Sequence, residues 1–117
     1  MALRNIVPTD REIKSALDQV AIGAFADMKT RNYSAGMKKR LGLAKAILAR
    51  PNVLLLDEPF TALDDAGVSL MQTFIHQSVE GGGAVLLSTH DREKVSTLAH
   101  RAGVLSHGIL QPTSVSA

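Results

Sequence analysis

Three residues of this chain could carry out metal-assisted chemistry on a water molecule: Asp57, Glu58 and His90. Asp57 and Glu58 stand side by side, directly after Val53, Leu54, Leu55 and Leu56. Adjacent carboxylates can divide the work, one holding a divalent cation while the other polarises a water. His90 follows a second apolar run, Ala84, Val85, Leu86 and Leu87, after Ser88 and Thr89. An imidazole at a strand end can steady an anionic oxygen, but it can equally be a hydrogen-bonded core histidine. Taken alone, the Asp57-Glu58 pair also fits a solvated acidic turn after a core strand.

The elements that must position these groups follow from the surrounding pattern. Residues 53–56 form an unbroken apolar run between Pro51 and Pro59, which predicts a strand buried on both faces, as in parallel sheets. Residues 84–87 predict a second buried strand. If the two run parallel, Asp57, Glu58 and His90 share one rim of the sheet, where ligands of open α/β sheets bind. Ser34-Ala35-Gly36 stands where a helix begins: Ser34 suits the N-cap, and the small residues leave backbone N–H groups uncovered for an anion. Met37, Leu41, Ala44 and Leu48, with Ile47, recur at helical spacing, and the helix should stop before Pro51. A plain amphipathic helix with a serine cap has the same pattern. Asp64 or Asp65 can cap the next helix, marked by Val68, Met71, Ile75 and Val79 and widened by Leu70 and Phe74.

The remaining chain is less informative. Thr9 and Glu12 fit a capping box opening a helix with the stripe Ile13, Ala16, Leu17 and Val20, and Gly23 ends or follows it. Residues 25–32 read as a loop with one helical turn. Gly81-Gly82-Gly83 follows a helix and precedes a strand, the reverse of the order a phosphate loop needs. Residues 92–98 read as helical, 102–105 and 109–110 as a hairpin about 106–108, and 111–117 as a frayed tail. His76 reads as a surface residue, and His100 and His107 have no partners at metal-ligand spacing.

Composition excludes more than it suggests. A net charge of +2 gives no argument for nucleic acid, and Lys38-Lys39-Arg40 reads as a solvated helix face. There is no cysteine, hence no disulfide or thiolate metal site. No apolar stretch is long enough to span a bilayer. At 117 residues, 45% of them apolar, the chain can build one small core.

Ser34-Ala35-Gly36, Asp57-Glu58-Pro59, Leu63-Asp64 and His90, in that order and spacing, resemble the ATPase subunits of ABC transporters, over residues 13–110. The resemblance implies an α/β fold: part of a P-loop NTPase fold with parallel strands flanked by helices. Residues 1–32 would be a remnant of the helical subdomain, and residues 33–117 the C-terminal half of the ATPase core. It implies ATP and Mg2+ as cofactors. Asp57 would take the Walker-B role at Mg2+, Glu58 would polarise the attacking water, and His90 would be the switch histidine at the γ-phosphate. Ser34, Ala35 and Gly36 would meet the γ-phosphate of a partner's ATP, and Asp64 would reach across the dimer interface. The implied partners are a second ATPase subunit and a membrane-spanning transporter subunit, with no nucleic acid. The implied location is cytoplasmic, at the inner face of the cell membrane, with membrane contact only through the partner.

The chain departs from the family pattern in two ways. Tyr33, Ala35 and Met37 replace three members of the usual Leu-Ser-Gly-Gly-Gln signature, and no Gly-x-x-x-x-Gly-Lys-Ser/Thr loop or glutamine loop occurs in the chain. By itself this chain is therefore expected to be inactive. The wording around Tyr33 and from Asp57 to Asp64 resembles export-type members, including the haem-exporter ATPase of cytochrome c biogenesis. The alternatives are a non-catalytic truncated remnant, an interaction module, or a soluble ABC ATPase outside transport.

Overall fold

The computed structural model of the chain describes residues 7–115. Its first six residues, and residues 116 and 117 of the expected frayed tail, lie outside them. The chain divides into two compact units, Met1–Pro51 and Asn52–Ala117.

In the first unit, helix α1 spans Asp10–Gln19 and helix α2 spans Ala35–Ala49. The capping box forms: the Glu12 N–H donates to Thr9 Oγ1 (3.2 Å) and the Thr9 N–H to Glu12 Oε2 (2.9 Å). After Val20 the chain turns through left-handed Ala21 (φ 61°), and Gly23 opens a short 3-10 turn. A second 3-10 turn covers Thr30–Asn32. Ala16, Val20, Ile22, Tyr33, Leu43 and Ala44 are buried. Two polar ties hold the connection: the Tyr33 hydroxyl donates to Phe25 O (2.8 Å), and the Arg40 guanidinium donates to Val20 O (2.9 Å). Of the expected α2 stripe only Ala44 is fully buried, with Leu43 beside it; Met37, Leu41, Ile47 and Leu48 are half-covered. Arg50 closes α2 in the left-handed conformation (φ 47°), the turn that brings the chain to Pro51.

In the second unit, strand β1 (Val53–Asp57) is followed by helix α3 (Asp65–Glu80) and strand β2 (Ala84–Ser88). The strands pair parallel, from Val53 opposite Ala84 to Asp57 opposite Ser88. The glycine turn enters β2 as expected. Gly82 has φ +92°, and a Cβ on Gly83 would lie 2.8 Å from Ser78 O, so a side chain is barred there. Helix α3 packs against β2 and buries Gly67, Met71 and Ile75. Strands β3 (Ala102–Ser106) and β4 (Ile109–Thr113) form an antiparallel hairpin. Its two-residue loop, His107-Gly108, has positive φ at both positions (51° and 77°), the twist-matched geometry for a tight hairpin.

Three expectations are corrected. The two parallel strands are not buried on both faces. Leu54 is 8% exposed, while Leu55 and Leu86 are 71% and 70% exposed, because this two-stranded sheet has a helix against one face and alternate side chains point to the other. Residues 92–98 form successive turns rather than a helix, and the Ser96 hydroxyl donates back to Glu93 O (3.0 Å). Residues 111–113 are not frayed, because β4 continues through them and pairs with β3.

Candidate functional site

The site is built where β1 and β2 end. The last matched pair is Asp57 and Ser88, and the Glu58 N–H donates to Ser88 O (2.9 Å), extending the strand pairing by one bond. Glu58 itself adopts a left-handed backbone (φ 47°), an uncommon state for a residue with a side chain. The next two residues, Pro59 and Phe60, are buried and hold that turn in place. Glu58 keeps a third of its side chain in solvent, and its Oε1 lies 3.3 Å from His90 Nε2. The His90 side chain is 98% exposed, so it is not a core histidine.

The segment carrying His90 is fixed by its neighbours. Thr89 Oγ1 accepts the Asp91 N–H (3.0 Å), and Lys94 Nζ is 2.9 Å from Asp91 Oδ2. Gln72 on α3 donates to Lys94 O (2.9 Å), tying the turns after His90 to the helix. The hydrogen bond from Lys94, with its charge adding, holds the Asp91 carboxyl below its ordinary value.

Asp57, Glu58 and His90 are thus brought together on one rim, as the parallel reading requires. Ser88 joins them: its hydroxyl donates to Asp57 Oδ1 (2.5 Å). Ser88 carries no motif of its own, and only strand register reveals it. The donors at this rim are carboxylate and hydroxyl oxygens, which suit a hard cation such as Mg2+. Among the described residues no group of three His, Asp or Glu side chains could hold a metal alone. Mg2+ usually takes one or two carboxylates, with waters and substrate phosphates completing its shell.

Asp64, in the same unit, is the N-cap of α3, its Oδ1 accepting the Gly67 N–H (2.8 Å). Such a cap contributes about 1 kcal/mol. Ser34, in the other unit, caps α2, its Oγ accepting the Met37 N–H (3.1 Å). Ala35 and Gly36 form the first turn, where helix N–H groups have no intrahelical acceptor. His76 lies on the surface, 3.7 Å from Glu80.

The chain is 43% identical over 84 residues to the cytochrome c biogenesis ATP-binding export protein CcmA of Pseudomonas putida, which covers 71% of this chain and 40% of that protein. It is 43% identical over 95 residues to the molybdenum import ATP-binding protein ModC of Mycobacterium tuberculosis, covering 80% of this chain and 26% of that protein. The chain thus spans less than half the length of these relatives. In three dimensions it matches a dimeric ATP-binding cassette in a post-hydrolysis state bound to ADP and Pi. The TM-score is 0.82 at 21% identity, over 98% of this chain and 52% of that one, which establishes the fold. No helix among the described residues is long and apolar enough to cross a membrane. Residues 2–61, just over half of the chain, match the ABC transporter family model, and that match ends within the turn that carries Glu58; the chain belongs to the ABC transporter family, to its ATPase domain.

Proposed function

We propose that this chain forms part of the ATP-hydrolysing subunit of an ABC transporter. The observation that carries the reading is the placing of Asp57, Glu58 and His90 on one strand-end rim, with His90 Nε2 3.3 Å from Glu58 Oε1. In this reading Asp57 holds the metal side of the site. Glu58 accepts a hydrogen bond from the attacking water and draws off its proton as the water oxygen bonds to the γ-phosphorus and the bond from that phosphorus to the β,γ-bridging oxygen breaks, ADP leaving with that oxygen. His90, on the solvent side of Glu58, donates to a γ-phosphate oxygen and keeps Glu58 and the water aligned. Mg2+, when bound, would neutralise phosphate charge.

Ser34, Ala35 and Gly36 serve a second nucleotide in a dimer, where the open N–H groups of α2 meet phosphate oxygens. In this reading Asp64, besides capping α3, reaches across a dimer interface. The match to a dimeric cassette supports a second ATPase subunit as partner, and a membrane-spanning subunit would receive the work of hydrolysis. That would place the chain at the inner face of the cell membrane. We assign residues 1–32 to a remnant of the helical subdomain and residues 33–117 to the C-terminal half of the ATPase core. The direction we assign is export, supported by the Tyr33-Ser34-Ala35-Gly36-Met37 wording and the similarity to CcmA. ModC, named as an import protein, is equally identical, so direction calls for a transport assay.

The reading is tested by joining the chain to the part of Pseudomonas putida CcmA that it does not match and assaying phosphate release. Mg2+-dependent release that neither piece shows alone is the expected result. A well-folded chimaera without release would favour a non-catalytic remnant or an interaction module.

A further inference from the structure

Ser88 is exposed, and so is Asp57, yet the Ser88 hydroxyl lies 2.5 Å from Asp57 Oδ1. An exposed carboxylate can take its hydrogen bonds from water, so the contact is not needed to satisfy a buried charge. What a fixed hydroxyl adds is orientation. The Glu58 N–H, whose shorter bond goes to Ser88 O (2.9 Å), also reaches the same hydroxyl oxygen (3.3 Å). An N–H can only donate, so that approach takes up a lone pair of the hydroxyl and leaves its proton for Asp57. One side chain therefore touches both adjacent acids: the carboxylate of Asp57 and the backbone of Glu58. The strand register makes this possible, since Ser88 is the residue directly opposite Asp57.

We propose that Ser88 is a positioning residue for a divalent cation. Its hydroxyl occupies Asp57 Oδ1 and so presents Oδ2 to the metal, while the same oxygen braces the turn that aims Glu58. This inference rests on the proposed role of Asp57 and adds a residue that the family motifs in the sequence do not include. The hydroxyl does not touch the reacting atoms; it acts through Asp57 and Glu58.

The experiment is a Mn2+ titration of the isotope-labelled 117-residue chain, read as paramagnetic broadening of backbone amide signals. In the wild type, the amides of Glu58, Thr89 and His90 should broaden before those of other segments. Ser88→Ala should need about threefold to tenfold more Mn2+ for the same broadening, the change expected for one lost hydrogen bond. Ser88→Thr, which keeps the hydroxyl, should restore the wild-type midpoint. A merely structural role would lower the melting temperature of Ser88→Ala without moving that midpoint. If Ser88→Ala does not fold, Ser88→Cys against Ser88→Thr makes the same comparison, since a thiol is the weaker donor. Equal midpoints for the hydroxyl and non-hydroxyl variants, or no selective broadening of the wild type, would overturn the inference. Hydrolysis is not measured here. A CcmA chimaera that fails to release phosphate, alongside Ser88-dependent Mn2+ uptake, would overturn the ATPase reading alone.

Discussion

His90 Nε2 lies 3.3 Å from Glu58 Oε1, linking the ends of two parallel strands whose last matched pair is Asp57 and Ser88. The contact joins residues far apart in sequence, and the parallel register brings them level. His90 has almost no other cover, so its removal should disturb little packing. In the CcmA chimaera, His90→Ala should lower turnover at least about tenfold and change ATP affinity much less. Glu58→Gln should bind ATP and lose most hydrolysis. If the two residues act as a unit, the double variant should be little worse than the worse single one. A collapse of affinity in His90→Ala, with turnover per bound ATP preserved, would remove His90 from catalysis.

Leu54 and Leu55 are adjacent and identical in type, but Leu54 is 8% and Leu55 71% exposed. In urea unfolding of the chain, Leu54→Ala should cost about 2–4 kcal/mol and Leu55→Ala no more than about 0.5 kcal/mol. Similar losses at both positions would mean that the second face is covered in solution.

That contrast also marks how far the sequence could be read. The caps at Thr9 and Ser34, a cap at Asp64 or Asp65, and the hairpin turn were legible because each rests on local chemistry: a side-chain acceptor or a glycine. The shared rim of Glu58 and His90 was legible because apolar runs of equal length preceded both. The one-sided burial was not, since an apolar run fits a fully covered strand and a half-covered one alike. The clasp of Ser88 on Asp57 was not legible either, because it depends on register, which neither residue encodes locally. Tyr33 shows the same limit: it interrupts the family's signature wording, yet its ring is buried and its hydroxyl ties down the approach to α2.

The Asp91–Lys94 pair predicts a local pH response. Lys94 holds the Asp91 carboxyl below its ordinary 3.8. A carboxylate with a lowered folded value adds stability that is present above its unfolded value and is lost as pH falls through the folded one. The Asp91 side-chain carbon signal should therefore titrate below 3.8, and Lys94→Ala should return it towards that value. Because the pair is solvent-exposed, high salt should weaken the difference. A midpoint unchanged by Lys94→Ala would show that the contact does not persist in solution.

The chain by itself should neither bind ATP tightly nor hydrolyse it. Most phosphate contacts in a P-loop enzyme come from backbone N–H groups and a lysine of the Gly-x-x-x-x-Gly-Lys-Ser/Thr loop, and these 117 residues contain no such loop. Asp57 and Glu58 without it present two carboxylates to a polyanion, and the repulsion is relieved only when a divalent cation intervenes. Ser34, Ala35 and Gly36 offer one helix start, which steadies a phosphate but supplies no cation. The uncovered Val53, Leu55 and Leu86 side chains add a second cost, an apolar sheet face turned to water in the free chain. Calorimetric titration with Mg-ATP should give a dissociation constant no tighter than about 0.1–1 mM, and phosphate release should stay at background. Supplying the remaining part of a CcmA cassette should tighten binding and start turnover together, because the same addition brings the phosphate contacts and covers the exposed face. Micromolar binding with turnover by the chain alone would mean that its phosphate site is built from residues other than those at the strand-end rim.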